Sequence, residues 1–145
     1  EKSLRDVLEV RKALEELAVK LTCDKIKCTQ IRELKHAAEE FRKTLKSSDI
    51  TLIAEADVRF HDVIYEATDN QKLVQLLNNL REQMYRYRIE YLKRQEAYPQ
   101  LLAEHEEIIR RIENKEKEQA AEMVCKHIDN QVEAVMDVIR TKKGE

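Results

Sequence analysis

Apolar residues recur along this chain at every third or fourth position, in blocks separated by short polar breaks, which is the period of an amphipathic α-helix. The first block, about Ser3–Thr22, sets Val7, Val10, Leu14, Leu17, Ala18 and Leu21 on one arc, and the second, about Thr29–Ser47, does the same with Leu34, Ala37, Ala38, Phe41 and Leu45. A third follows the capping run Ser47-Ser48-Asp49 and continues to about Thr68 with Ile53, Ala56, Phe60, Ile64 and Ala67 inward. Asp69-Asn70 then caps a fourth, about Gln71–Gln95, whose inner face takes Leu73, Leu76, Leu77, Leu80, Met84, Tyr87 and Tyr91. Pro99 suits the first turn of a fifth, which carries Leu101, Leu102, Ile108, Ile109 and Ile112 and ends near Glu113. A sixth, about Glu118–Thr141, turns Ala120, Met123, Val124, Ala134, Val135 and Val138 inward. The pattern predicts an all-α protein, a single six-helix antiparallel bundle in which residues 1–145 form one domain.

Composition supports that reading and narrows the function. One glycine and one proline leave little to interrupt helices, and 5% aromatic residues give little to favour strands. A net charge of −2 without a basic run gives no pull towards nucleic acid or a membrane surface, so these residues alone are not expected to bind DNA. Three cysteines, Cys23, Cys28 and Cys125, with no CxxC pair, point to a reducing cytoplasm. No apolar run of membrane-spanning length is present. The helical pattern begins almost at the first residue, as in a domain taken from a longer protein.

Four polar residues break the apolar arcs. Asp57 and His61 stand four residues apart on one face of the third helix, at the flank of its apolar stripe. His105 lies at the centre of the apolar face of the fifth helix, and His127 within that of the sixth, whereas His36 projects to solvent. Separate burial of three histidines and an acid needs several unrelated hydrogen-bond solutions. One divalent cation satisfies all four. Imidazole nitrogens with one carboxylate suit zinc or nickel first, with manganese, cobalt and ferrous iron also admitted, whereas calcium and magnesium prefer oxygen. The expected metal ligands are Asp57, His61, His105 and His127. Such a site keeps positive charge and open positions, which a small organic acid can fill.

The candidate effector contacts are Arg11, Arg81, Arg88 and Gln131. Arg11 intrudes on the first helix's arc, either as a guanidinium turned in for an anion or with its stem on the core edge and its head paired with Glu15. Arg81, Arg88 and Gln95 recur every seven residues along the fourth helix, as a solvated border or as the edge of a carboxylate pocket. Gln131 follows His127 by one turn and also faces inward.

The motifs D-x-x-F-H at Asp57–His61 and E-H-x-x-I at Glu104–Ile108, the helix bearing His127, V-R-K-A-L-E at Val10–Glu15 and T-D-N at Thr68–Asn70 resemble the FCD-type effector domain of FadR-branch GntR transcription regulators, and the expected six-helix count is similar to that family's smaller, VanR-like subgroup. The resemblance covers essentially the whole chain. It implies metal binding by the same Asp57, His61, His105 and His127, allosteric control by a small carboxylate, and a homodimer. It also implies operator DNA held only through an N-terminal winged helix-turn-helix that these residues do not include. Where the family commonly has Gly-Asp before the last helix, this chain has Lys115-Glu116.

Catalysis is not expected. A metal-dependent hydrolase on a helical bundle is the alternative, because an open metal position can activate water. No general acid or base other than the ligands themselves turns inward. The His61-Asp62 pair does not make an HD-type phosphohydrolase, since Asp62 projects outward, and the single Glu-x-x-His pair, Glu33–His36, faces away from the core. A bundle without metal is the remaining reading.

Overall fold

The computed structural model describes residues 2–144, with the side chains of Lys2 and Lys143 left out. Among the described residues the regular structure is α1 (Lys2–Lys25), α2 (Cys28–Thr44), α3 (Ile50–Ala67), α4 (Gln71–Asn79), α5 (Arg81–Leu92), a 3₁₀ turn (Gln95–Ala97), α6 (Tyr98–Glu113) and α7 (Lys117–Gly144). The expected capping residues act as such. Asp49 accepts a hydrogen bond from the Leu52 amide at 3.2 Å and Asn70 from the Leu73 amide at 3.0 Å, each satisfying a donor that the first turn leaves open.

The single helix expected over 71–95 is instead two helices. Its backbone leaves α geometry at Leu80, where φ is −98° and ψ is 0°, and the Leu80 amide bonds back only three residues, to Leu77. The cause is local. Asn78 and Asn79 are weak helix formers whose side chains compete for hydrogen bonds, and the Asn78 carboxamide oxygen is taken by the Arg81 guanidinium at 2.9 Å and 3.2 Å. The bundle therefore has seven α-helices among the described residues, not six.

The inward face of α1 also differs from expectation. Val10 is 52% exposed and Leu17 46%, while Leu4, Leu8, Arg11, Glu15, Ala18, Val19, Thr22 and Cys23 are buried. Apolar residues alone misplace the arc, because Arg11 and Glu15 go inside as an ion pair and rotate the helix about that pair. Leu76 on α4, expected inside, is 43% exposed.

Helix α1 packs on α7, α3 and α4; α2 on α3 and α6; and α7 on α5 and α6. Among the described residues three apolar clusters result. One gathers Val19, Phe60, Ile64, Leu77, Ile108, Ile112 and Ile128, a second Phe41, Ile53, Leu92 and Leu101, and a third, smaller one Leu4 and Leu8 of α1 with Val135 and Met136 of α7. The His105 ring touches the first two, through Phe60 and Phe41, so it sits where they meet. Before α7, Lys115 takes φ 58°, a left-handed conformation that glycine adopts without strain. Its amine bonds the Cys23 carbonyl at 3.1 Å, tying this turn to α1. No described helix is long and apolar enough to cross a membrane.

Candidate metal and anion site

Three helices supply the centre of the bundle. On α3, Asp57 and His61 lie one turn apart and are both buried; α6 brings His105 and α7 brings His127. One ligand atom from each histidine lies within 4.8 Å of those of the other two. The ring centroids form a near-equilateral triangle with sides of 5.7, 5.9 and 5.9 Å. Packing fixes the rings: His105 stacks on Phe60 at 4.2 Å and 16°, and the same Phe60 meets His61 edge-on at 5.3 Å. One phenylalanine thus orients two imidazoles.

Asp57 joins this group from the side. Its Oδ1 lies 2.9 Å from Nε2 of His105 and 3.5 Å from Nε2 of His61. Neither approach is a well-directed hydrogen bond: Asp57 Oδ1, His61 Nε2 and both ring nitrogens of His105 are buried without a partner. Orphaned buried polar atoms are costly, and several converging on one point are what a cation would satisfy. Burial opposes ionisation of Asp57, but the charges of His61 and Arg88 outweigh it and hold the carboxyl well below its usual value. The other oxygen, Oδ2, accepts from Arg88 Nε at 2.6 Å. In His105, burial favours the neutral ring, the form that can ligate.

His127 has a partner that the sequence did not single out. Its Nδ1 meets Glu104 Oε1 at 2.8 Å, and Asn130 donates to Glu104 Oε2 at 2.8 Å. These bonds overcome burial and keep Glu104 below the usual glutamate value. A carboxylate on Nδ1 fixes that nitrogen as the donor and makes Nε2 the acceptor. The available signal was adjacency, since Glu104 precedes His105 in the E-H-x-x-I motif.

Beside the histidines lies a second polar cluster. Arg11, fully buried, donates from Nε to Glu15 at 2.9 Å and from Nη1 to Gln131 at 2.8 Å. Tyr65 donates a short hydrogen bond to Glu15. Gln131 Nε2 comes within 3.5 Å of His127 Nε2, which joins the two clusters. Burial works against the Glu15 charge, but Arg11 and His61 hold its carboxyl below the usual value, while burial and then Glu15 push the Tyr65 phenol well up. Both readings of Arg11 from sequence are therefore present in part: it turns inward and it pairs with Glu15. Tyr65 follows Asp57 and His61 at the same four-residue spacing, so the helical period of α3 already sets it on their face.

Arg88 is buried against Asp57; Arg81 is not buried. Arg81 bridges to Asp62 at 2.8 Å at the surface. It lines the outer part of a crevice between α3 and the α4–α5 junction whose floor includes His61, Tyr65 and Arg88. That crevice encloses only about 10 Å³, roughly the space of one water. A cavity of about 170 Å³ between α2 and α6, lined by Lys35, Arg42, Leu102 and Ile109, reaches His105 from the opposite side.

The fold and cluster thus define a helical bundle with a buried polar centre of paired charges. The chain belongs to the FCD domain family, whose model matches residues 6–130. Over 143 residues it is 25% identical to YdhC of Bacillus subtilis (strain 168), described as an uncharacterized HTH-type transcriptional regulator; the match covers 98% of this chain and 64% of that relative. Among solved structures, E. coli McbR/YncC superposes with a TM-score of 0.86 at 16% identity, over 94% of this chain and 69% of that one. A GntR family member from Pseudomonas syringae pv. tomato str. DC3000 does so with a TM-score of 0.77 at 20% identity, over 98% and 59%. These likenesses support the all-helical fold.

Proposed function

We propose that this chain is the effector-sensing part of a cytoplasmic GntR-type transcription regulator, in which a divalent transition metal held by Asp57, His61, His105 and His127 receives a small organic acid. The observation that carries the reading is the set of unpartnered buried atoms, Asp57 Oδ1, His61 Nε2 and His105 Nε2, beside His127, whose Nε2 meets Gln131 Nε2 at a long 3.5 Å. Zinc or nickel suits this donor set best, and manganese, cobalt or iron would also accept it. The metal would supply a positive centre for the acid's carboxylate, with Arg11, Arg88 and Gln131 around it and Arg81 at the mouth. Glu104 acts from behind His127. Changing Glu104→Gln should weaken zinc binding about 10–100-fold in a competition titration with a chromogenic chelator, as loss of a ligand-orienting carboxylate does.

Binding becomes a signal through space and packing. The crevice beside His61 holds about one water, so an organic acid entering there must displace Arg88 or Met84 of α5. The break at Leu80 lets α5 move without α4, and α5 packs on α7, which packs on α1. An effector shifts the protein only by binding one arrangement better than the other. DNA would be held by a winged helix-turn-helix N-terminal to this domain. The homodimer is supported by α1, where Val10 and Leu17 are exposed beside the half-buried Leu14 and Leu21, and exposed apolar side chains grouped in this way mark a contact surface.

A thermal-shift screen of small carboxylic acids tests the effector step. Stabilisation that vanishes on adding EDTA is expected; acids that stabilise equally without metal would contradict it. A hydrolase reading finds no support in the site, because the carboxylates near the histidines, Asp57, Glu15 and Glu104, are each engaged by Arg88, Arg11 or His127. Turnover of a phosphoester above a free-zinc blank would revive it.

A further inference from the structure

Arg81 opens α5 directly after the break at Leu80, and each nitrogen of its guanidinium is engaged. Nε and Nη2 donate to the Asn78 carboxamide at 3.2 and 2.9 Å, and Nη2 and Nη1 to the two Asp62 oxygens at 2.8 and 3.4 Å. One side chain therefore ties the end of α4 and the start of α5 to α3. Asp62 follows His61 directly, so the tie closes on the helical turn that carries that histidine. Beneath it lies the crevice lined by His61, Tyr65, Met84 and Arg88.

A crevice of about 10 Å³ passes neither a hydrated metal ion nor an organic acid, so it must widen before either can reach the centre. The wall beside it is jointed at Leu80, where the helical hydrogen bonding changes register. The opposite approach is worse placed. In the α2–α6 cavity the way inward is closed by the His105 ring, packed on Phe41 at 4.7 Å and on Phe60 at 4.2 Å, so a passage there would have to part three rings. On the footing of the metal-dependent site above, we propose that ion and effector exchange through the crevice beside His61. Arg81 is then a positioning residue, a latch whose bond to Asp62 sets how often that crevice opens.

The pair has the strength a latch needs. Its side chains are 45% and 36% exposed, so water competes for both charges and thermal motion breaks the bond readily. The Arg88–Asp57 pair deeper in, at 5% and 1%, lacks that release. Because each guanidinium nitrogen is taken, Arg81 meets an incoming group only by letting go of Asp62 or Asn78. A latch lies on the path and at neither end of it. Loosening it speeds entry and exit by the same factor and leaves affinity alone.

Stopped-flow zinc exchange tests this. The zinc-loaded chain is mixed with excess EDTA to read release, and the metal-free chain with zinc and a chromogenic chelator to read uptake. Asp62→Asn should speed both by about two- to fivefold, the factor an exposed ion pair is worth, with the zinc dissociation constant unchanged within about twofold. Arg81→Gln should speed release to the same extent, and the double variant no further, because both changes remove one bond. Exchange rates in Asp62→Asn equal to those of the unmutated chain overturn the latch. Faster release matched by weaker binding overturns it too, since that marks damage at His61 and not a gate. A second readout needs no metal: hydrogen exchange at the amides of Leu80 and Met84, which bond to the Leu77 and Leu80 carbonyls at 3.1 and 2.9 Å, should quicken by a similar factor in Asp62→Asn. If the chain binds no zinc, the metal site falls and the amides decide the latch: quickened exchange upholds it, and unchanged exchange overturns it.

Discussion

Arg11→Met should destabilise the protein by about 3–5 kcal/mol, the usual cost of breaking a buried ion pair by removing one member. The size follows from position. Arg11 has no exposed surface and Glu15 is 3% exposed, so the orphaned carboxylate cannot reach water. Tyr65 would still donate to it, which helps, and protonation would help more. Removing both charges together, in Arg11→Met with Glu15→Leu, should recover about 2 kcal/mol or more, because an apolar pair of similar volume avoids the desolvation cost. Urea unfolding followed by circular dichroism reads both values. If the single variant loses under about 1 kcal/mol, the pair is not buried as described.

The same pair predicts a pH response with a definite sign. The Glu15 carboxyl is held below its unfolded-state value, so its stabilisation is complete above that value and is lost as pH falls through the lower, folded-state one. Without Arg11 the folded-state value rises, and acid unfolding should begin at higher pH.

The second large effect concerns the metal. At a free zinc concentration about a thousandfold over the dissociation constant, binding to the folded state alone stabilises it by about 4 kcal/mol. For a chain of this size that is roughly 12–15 °C in melting temperature. EDTA should remove the shift. His105→Ala should abolish it too, since His105 Nε2 stands 2.9 Å from Asp57 Oδ1 at the convergence of the unpartnered atoms. An unchanged zinc-dependent shift in His105→Ala would remove that histidine from the site.

Much of the fold was legible because burial and helical period coincide in α2, α3, α6 and α7. Phe41, Phe60, Ile108, Ile112 and Val124 are inside where the pattern places them. The pattern failed where charges are buried in pairs. On α1 the apolar period places Val10 and Leu17 inward, whereas Arg11 and Glu15 hold that place, and a projection that counts only apolar side chains cannot see an ion pair displacing them. It failed again at Leu80, where the break depends on Arg81 capturing the Asn78 carboxamide, a contact between side chains rather than a periodicity. In the candidate site, the inward histidines were legible as intrusions on apolar faces. Glu104 was not, because its role depends on α7 bringing His127 to it across 23 positions of sequence.

Elemental analysis of the chain purified without chelator, with zinc titration of any metal-free fraction, is the measurement closest to the central claim. About one transition-metal ion per folded chain is expected, with tight binding, and it should be lost in Asp57→Ala and His105→Ala. A folded, unmutated chain that carries no such metal and takes up no zinc would contradict the metal centre, and the orphaned atoms between α3, α6 and α7 would then need another explanation.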